Sequence, residues 1–276
     1  MLPPTARHHH RSRVFGHALL ILLGVISLFP VYWMFATSFR PANDVFSSAP
    51  IPLHATLTNY RAVFREIPIV RMLLNTFIVA ALVALGQLLT SILAAYAFAR
   101  WRFPGDHVLL LLFIGTWLIP FQVTMIPNYV LIAHLGWLNT LQGLIVPQVA
   151  SAFAILLMRQ HMKAFPVALL DAARLDGVTS WGTLWRIVVP NLRAPLAALG
   201  ILLFISTWNE YFWPLLITNK AEHAVIQVGL QMFLTAEGNQ WGQLMAASSL
   251  ASLPIFAIYA LLQRQVIDAF VRSGLK

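Results

Sequence analysis

The feature that most constrains this chain is a series of six long apolar stretches. They cover roughly residues 14–35, 73–99, 108–127, 141–158, 196–217 and 244–262. A helix of about 20 apolar residues crosses the hydrocarbon core of a bilayer, and each stretch satisfies that length. Because lipid offers the backbone no hydrogen-bond partners, such stretches are expected to form helices. The sequence therefore predicts an all-α polytopic membrane protein with six transmembrane helices.

The composition supports this class and excludes several functions. Hydrophobic residues make up 59% of the chain and charged residues only 10%, whereas soluble domains carry about 25% charged residues. The chain has no cysteine, which excludes disulfides, thiolate metal sites and cysteine nucleophiles. The net charge of +9 does not indicate a nucleic-acid partner, because the basic residues flank the apolar stretches and are explained by membrane topology.

The distribution of lysine and arginine predicts the orientation in the membrane. Of these residues, 13 fall on one side of the predicted membrane and 5 on the other. Basic residues concentrate in cytoplasmic loops, so both termini and the loop 159–195 are predicted to be cytoplasmic. The first apolar stretch is too long for the core of a signal peptide. We therefore expect residues 1–13 to form a cytoplasmic tail and residues 14–276 to form one membrane domain.

Polar side chains inside the apolar stretches predict a solute pathway. Such groups are costly in hydrocarbon and normally face the interior of a helix bundle. The densest set lies in the fifth stretch, where Ser206 and Glu210 are expected to share one helix face. The predicted substrate pathway comprises Ser206, Asn209, Glu210, Trp213, Gln122 and Gln148.

Glu210 is the only acidic residue within any of the stretches. Two interpretations stay open: it binds solute hydroxyls or sets a gate, or it makes a hydrogen bond or salt bridge between helices. No second acidic residue, histidine, lysine or arginine lies near it in the stretches to pass a proton on, which disfavours a proton-coupled carrier. The aromatic residues around it would suit a sugar, which presents hydroxyls at its edge and C–H groups on its face. Anchoring of the helix at the membrane interface is the competing explanation for these aromatic residues.

The sequence contains no apparatus for ATP hydrolysis or for other enzymatic chemistry. No Gly-Lys pair occurs, so there is no phosphate-binding loop of the form G-x-x-x-x-G-K-[ST]. Neither H-E-x-x-H nor G-x-S-x-G is present. We therefore expect this chain not to be an enzyme, and ATP-driven transport would need a separate ATPase.

Residues 165–190 form the most polar long connection between two apolar stretches. Pro166 suits the first turn of a helix, and Gly177 suits a turn with a positive φ angle. A second helical run over residues 180–188 is expected to stop at Pro190. The segment therefore predicts two short helices that are joined by a tight turn and lie along the membrane surface.

The same segment carries a specific resemblance to a known family. Its residues Asp171-Ala172-Ala173, Gly177, Ile187 and Val189-Pro190 match the pattern EAA-x3-G-x9-I-x-L-P. That pattern marks the inner-membrane permease subunits of bacterial binding-protein-dependent ABC importers. Asp171 replaces Glu and Val189 replaces Leu. Further segments resemble the MalG-like carbohydrate permeases: NYRAVF (59–64), LLNTFIVA (73–80), AYAFARWRFPG (95–105), IPFQVTMIPNY (119–129), WNEYFWPL (208–215) and WGQLMAAS (241–248).

This resemblance implies a type I ABC importer permease fold in the bacterial inner membrane. The partners that it implies are a second homologous permease, two ATPase subunits and an extracytoplasmic solute-binding protein, in addition to membrane lipid. ATP and Mg²⁺ would bind to the ATPase, and no cofactor to this chain. The substrates implied are sugars, oligosaccharides or glycerol phosphates. No lysine or arginine lies within an apolar stretch, which favours a neutral sugar and leaves glycerol 3-phosphate or glycerophosphodiesters as the alternative.

The resemblance also implies roles for particular residues. The ATPase-coupling site would comprise Asp171, Ala172, Ala173, Leu175, Asp176, Gly177 and Pro190, within the loop 159–195. The solute-binding protein would dock on the loops 37–71 and 218–243. A self-contained secondary carrier is a second alternative, which the absence of internal repeats disfavours. A membrane enzyme acting on lipids or polysaccharides would lack a nucleophile or a metal cluster.

Overall fold

The computed structural model describes the backbone of residues 4–235 and 238–274 and the side chains of residues 15–234 and 238–263. The helices are α1 (Pro4–Ser38), α2 (Thr58–Glu66), α3 (Ile69–Arg100), α4 (Asp106–Leu118), α5 (Phe121–His134), α6 (Leu141–Ile145), α7 (Ala152–Lys163), α8 (Val167–Leu175), α9 (Ser180–Thr183), α10 (Val189–Asn191), α11 (Arg193–Trp208), α12 (Phe212–Ile217), α13 (Ile226–Gln231) and α14 (Trp241–Gly274). The terminal basic side chains used in the orientation count lie outside the described residues: Arg7, Arg11, Arg13, Arg264, Arg272 and Lys276.

Short elements of other types complete the chain. There are 3-10 turns at Ala42–Asp44 and Val146–Gln148, and a π turn spans Leu184–Val188. Two short strands, β1 (Leu234–Thr235) and β2 (Gly238–Asn239), pair in antiparallel fashion, with Leu234 opposite Asn239. The described chain is therefore almost entirely helical.

Three of the six predicted spans are continuous and three are broken. Residues 15–38, 69–100 and 241–263 form single helices that are long and apolar enough to cross a membrane. The other three spans are bent pairs: α4 with α5 at 96°, residues 141–148 with α7 at 43°, and residues 180–191 with α11 at 79°. When each bent pair is counted as one span, the described chain has up to six spans, the number that the sequence predicts. The bent pair of the fifth span covers residues 180–208, however, whereas the sequence predicts a span over residues 196–217.

The third span is broken at a proline. The sequence predicts one apolar span over residues 108–127 with a kink at Pro120, and in the structure α4 ends at Leu118 and α5 begins at Phe121. A residue that precedes a proline is pushed out of the helical conformation by the proline ring. Ile119, which precedes Pro120, accordingly has an extended ψ of 119°.

The fifth span is shorter than predicted, and Ser206 and Glu210 do not share one helix face. The helix α11 ends at Trp208, and α12 begins only at Phe212. The Asn209 side chain donates to the carbonyl of Ile205 at 2.9 Å, and the Glu210 carboxylate accepts from the backbone of α12. Polar side chains that bond to the local backbone compete with helix continuation, which explains the interruption.

The chain divides into two compact units: residues 1–67 with 230–253, and residues 68–229 with 254–276. In the second unit, α3 is the central helix and packs along α7 and α11. Small buried residues line this packing: Ala80, Ala84 and Ala95 of α3 and Ala154 of α7. Such small side chains allow the backbones of neighbouring helices to approach closely.

The first unit is organised around a fully buried arginine. The two terminal nitrogens of Arg40 donate to the carbonyls of Ser47 and Ala49. Its guanidinium lies 4.7 Å from the centre of the Trp33 ring. Asn59 of α2 donates to the carbonyl of Arg40 at 2.7 Å. These bonds fix the segment that follows α1, because they satisfy the terminal nitrogens of a buried guanidinium, which would otherwise be costly to bury. Its Nε atom is buried without a hydrogen-bond partner among the described residues.

Candidate functional site

The polar segment between α7 and α11 begins with a short helix and a tight turn, as predicted. Gly177 has a φ of +73°. Its N–H donates to the carbonyl of Arg174 at 3.0 Å, and the N–H of Val178 donates to the carbonyl of Ala173 at 2.9 Å. These two bonds form a Schellman motif, which ends a helix with a residue in the left-handed conformation. Glycine adopts that conformation without the strain that a Cβ would cause.

One side of this segment is anchored and the other is exposed. Leu170 and Ala173 are buried in the core of the second unit. The other predicted coupling residues are exposed: Asp171, Ala172, Leu175, Asp176, Gly177 and Pro190. Leu175 is 89% exposed. The ion pair of Asp171 with Arg174, at 3.4 Å, is solvated and adds little to stability. Ala173, although predicted with this set, packs inward.

The second helical run continues one residue beyond its predicted end. The run was expected to stop at Pro190, but α10 extends to Asn191 after a π turn. A proline lacks the N–H for helix bonding and clashes with the carbonyl four residues earlier. The wider π turn accommodates the proline, and the side chain of Asn191 donates to the carbonyl of Ile187 at 2.7 Å.

The break in the fourth span is satisfied by side chains of α3. Gln87 donates to the carbonyl of Gln148 at 2.7 Å. Thr90 donates to the carbonyl of Val149 at 2.9 Å. Irregular backbone within a membrane is tolerated only where protein or a water-filled cavity supplies hydrogen bonds. The break therefore brings polar backbone groups of the fourth span together with polar side chains of α3.

A cavity of about 330 Å³ lies beside this break. Its lining consists of Gln87, Phe121, Asn128, Pro147, Gln148, Ala150, Ser151, Glu210 and Trp213. The lining offers amides, a hydroxyl, a carboxylate and two aromatic rings, and none of the described side chains in it is a lysine, arginine or histidine. The rings of Phe121 and Trp213 meet edge to face, with centroids 6.2 Å apart. A few convergent polar groups among apolar walls are typical of a small-molecule site.

Glu210 has a structural role and also faces the cavity. Its Oε1 accepts from the backbone N–H of Phe212 at 3.0 Å and of Trp213 at 3.3 Å. A side-chain oxygen that binds the first free N–H groups of a helix stabilises the helix start. The Trp213 indole donates to the carbonyl of Gly143 at 3.1 Å, which fixes its ring in the cavity wall. The carboxylate is thus held in place while it lines the cavity.

The structure brings together half of the predicted substrate pathway. Gln148, Glu210 and Trp213 line the cavity, whereas Ser206, Asn209 and Gln122 are exposed and lie outside its lining. The prediction for Ser206 and Asn209 assumed a helix that in fact ends at Trp208.

Gln87, Asn128, Ser151 and Phe121 line the cavity and were missed. The signal for Gln87 was a polar amide within an apolar stretch. Phe121 carried no signal in the sequence.

Asn139 ties two connecting segments of the second unit together. It has a φ of +58°, and its Oδ1 accepts from the backbone N–H of Asn219 at 2.9 Å and of Lys220 at 3.2 Å. We expect Asn139→Ala to lower the free energy of unfolding by about 2 kcal/mol, because it loses both bonds and is strained at this φ angle. Thermal unfolding in detergent measures the effect. Asn139→Asp keeps the acceptor and is the control; equal losses in both variants would contradict the prediction.

Comparisons with known proteins agree with this architecture. The profile of a family described as binding-protein-dependent transport system inner membrane component matches residues 86–271. The chain is 34% identical to the sn-glycerol-3-phosphate transport system permease protein UgpE of Yersinia pestis bv. Antiqua (strain Antiqua), covering 94% of this chain and 96% of that protein. It is 32% identical to UgpE of Brucella abortus (strain 2308), covering 95% and 97%.

A solved structure has the same fold. It is that of a bacterial ABC transporter involved in the import of the acidic polysaccharide alginate. It matches with a TM-score of 0.80 at 22% identity and covers 96% of this chain and 98% of that chain. At this identity the likeness shows the fold alone.

Proposed function

The chain belongs to the family of binding-protein-dependent transport system inner membrane components, and on that premise we propose that it imports neutral sugars or oligosaccharides with energy from a separate ATPase. It is a multi-pass membrane permease with the type I ABC importer fold. Its relatives are transport permeases and not enzymes. The proposal therefore concerns the partners, the orientation and the substrate of this permease.

The proposed assembly contains this chain, a second homologous permease, two ATPase subunits and an extracytoplasmic solute-binding protein. ATP and Mg²⁺ would bind to the ATPase subunits, and this chain would bind no cofactor. Both termini would lie in the cytoplasm, because 13 of the 18 basic residues fall on that side. The loops 37–71 and 218–243 would then face the solute-binding protein.

The observation that carries the coupling proposal is the exposed side of α8 and its turn. Leu170 packs into the core cluster of the second unit and Ala173 is buried, so a force applied to the segment would reach the spans. Leu175, at 89% exposure, and Asp176 project from the end of the helix. Closure of an ATPase dimer around this exposed side would push the segment, and the broken spans would provide a bundle that can switch between inward-open and outward-open states.

The cavity beside the broken fourth span supports a neutral substrate. Sugar hydroxyls can donate to the Glu210 carboxylate and exchange bonds with the amides of Gln87 and Gln148, while a C–H face rests against Trp213. A phosphate group carries negative charge and would be repelled by Glu210. No cationic side chain lines this cavity to offset that repulsion.

Glycerol 3-phosphate is the second candidate substrate. It is favoured by the names of the relatives, which are permeases of sn-glycerol-3-phosphate transport systems and match over nearly their whole length. Recognition of the phosphate would then depend on groups outside the lining of this cavity.

The assembled complex in proteoliposomes tests the proposal. We expect ATP hydrolysis and uptake to be stimulated by the cognate solute-binding protein when it is loaded with a neutral sugar, and not when it is exposed to glycerol 3-phosphate. Stimulation by glycerol 3-phosphate alone would transfer the assignment to the second candidate. Uptake by this chain without any ATPase subunit would instead support a self-contained carrier and contradict the coupling proposal.

A further inference from the structure

A second and separate cavity of about 120 Å³ lies where α3 and α7 end and α4 begins. Its lining consists of Phe98, Ala99, Arg100, Trp101, Arg102, Asp106, His107, Leu110, Arg159 and Lys163. It is much larger than the roughly 10–15 Å³ that a single water molecule needs. Four of its lining side chains are arginine or lysine, and only one is acidic.

The acidic side chain does not neutralise these four cations. The Oδ1 atom of Asp106 accepts from the backbone N–H of His107 at 2.7 Å and lies 3.9 Å from its Nε2 atom. Arg159 and Lys163 are four residues apart on α7, so two like charges stand on one helix face and repel each other. The arrangement therefore favours an anion that would neutralise the excess positive charge.

Two arginine donors in this lining have no acceptor. Within the part of the chain that the structure describes, the Nε atoms of Arg100 and Arg159 are buried and have no hydrogen-bond partner. The Nη2 atom of Arg100, by contrast, donates to the carbonyl of Met162, and its guanidinium lies 5.9 Å from the centre of the Phe165 ring. A buried donor without an acceptor is costly, so each unpaired Nε points to an acceptor that the chain itself does not supply.

We propose that this cavity binds the phosphate group of an anionic phospholipid. Membrane topology explains why basic residues are numerous on this side, but it does not explain why four of them converge on one cavity, two of them with a buried and unpaired Nε atom. The planar guanidinium groups of arginine match the geometry of phosphate oxygens.

The position of the cavity favours a lipid as the source of the phosphate. It lies at the ends of apolar spans, and its lining includes Phe98, Leu110 and Trp101, the last of which is 48% exposed. Tryptophan is enriched at the interface between membrane and water. Basic pockets between transmembrane helices on the cytoplasmic side are suited to lipid headgroups. This proposal does not depend on which solute the permease transports.

Native mass spectrometry of the full-length protein in the assembled complex tests the proposal, with phosphatidylglycerol or phosphatidylcholine added to the detergent. The test variant is Arg159→Gln with Lys163→Gln. The matched control is Arg186→Gln with Arg193→Gln, which removes the same charge from exposed positions outside the lining. We expect phosphatidylglycerol to be retained by the wild type and the control, and its affinity to fall roughly 25-fold in the test variant, at about fivefold for each of the two basic residues removed.

Two further arms make every outcome informative. A titration with inorganic phosphate distinguishes a lipid phosphate from a soluble one. If the wild type binds inorganic phosphate, the test variant does not, and phosphatidylglycerol is not preferred over phosphatidylcholine, the cavity is an anion site whose ligand is soluble phosphate. If the double variant does not fold, Arg159→Lys replaces it in the test. This variant keeps the charge but loses the Nε donor, so it is expected to retain an intermediate affinity for phosphatidylglycerol. Equal phosphatidylglycerol binding in test and control variants would overturn the proposal. The proposal would also be overturned if the test variant lost the ATPase subunit from the complex but bound phosphatidylglycerol as before. The acceptor of the two Nε atoms would then be a carboxylate of the ATPase.

Discussion

Gly177→Pro is expected to abolish solute uptake while the chain remains inserted in the membrane. Gly177 has a φ of +73° and donates its N–H to the carbonyl of Arg174. Proline fixes φ near −65° and has no N–H, and in a helical context it costs about 3 kcal/mol or more. That cost corresponds to more than a hundredfold decrease in the population of the native turn, so the exposed side of α8 would lose the conformation that we propose the ATPase recognises. The measurements are uptake per inserted protein and co-purification of the ATPase subunit.

The chain supplies a matched control for this substitution. Gly136, at the end of α5, has a φ of +69° and the same pair of bonds: its own N–H donates to Ala133, and the N–H of Trp137 donates to Ile132. Gly136→Pro causes the same backbone damage outside the coupling segment, so the ATPase is expected to co-purify with it. Gly177→Asn, which tolerates a positive φ, should retain uptake. Normal uptake by Gly177→Pro would refute the coupling assignment.

The features that the sequence predicted well depend on local properties. The six spans follow from the length and apolarity of each stretch, and both properties are visible in a window of about 20 residues. The turn at Gly177 follows from the steric freedom of glycine, which the backbone requires at that position whatever surrounds it. Such features are encoded by adjacent residues, so the fold class and the helix and turn that end at Gly177 could be predicted from the sequence.

The breaks in the spans were harder to predict because a broken helix and a straight helix have the same apolarity. The break in the fourth span is stabilised by Gln87 and Thr90, which lie 61 and 59 residues away in sequence from the carbonyls that they bind. No local pattern contains that partnership. The break at Pro120 did have a local signal, since a residue before proline avoids the helical conformation.

Only half of the residues predicted for the substrate pathway line the cavity, because the other half were chosen on the assumption of unbroken helices. Glu210 and Gln148 are polar groups in apolar stretches, and that signal survives any change in helix boundaries. Ser206 was selected by a helical periodicity that ends at Trp208. Phe121 enters the cavity only because the chain bends by 96° at the preceding residues. Residues whose position depends on a break cannot be placed from periodicity alone.

Glu210→Gln and Glu210→Ala separate the two roles of this carboxylate. Glutamine keeps an oxygen that can accept from Phe212 and Trp213, so the start of α12 is expected to remain intact. It loses the negative charge, and hydrogen bonds to charged groups are stronger than neutral ones by roughly 1–2 kcal/mol. We therefore expect uptake at low concentrations of a neutral sugar to fall roughly tenfold in Glu210→Gln. In Glu210→Ala the helix start loses about 1 kcal/mol as well, and uptake is expected to fall about a hundredfold.

The control and the choice of solute show whether Glu210 contacts the transported solute. Asn209→Ala removes the bonds of Asn209 to Ile205 and Gln227 but leaves every side chain of the cavity lining, including the Glu210 carboxylate that binds the start of α12, in the chain, so its uptake is expected to stay close to that of the wild type. Wild-type uptake by Glu210→Gln would mean that Glu210 only stabilises the start of α12, and the solute pathway would then lie elsewhere. If the transported solute carried a phosphate, removal of the negative charge would instead increase uptake. The direction of the change in Glu210→Gln therefore distinguishes a neutral sugar from glycerol 3-phosphate at this cavity.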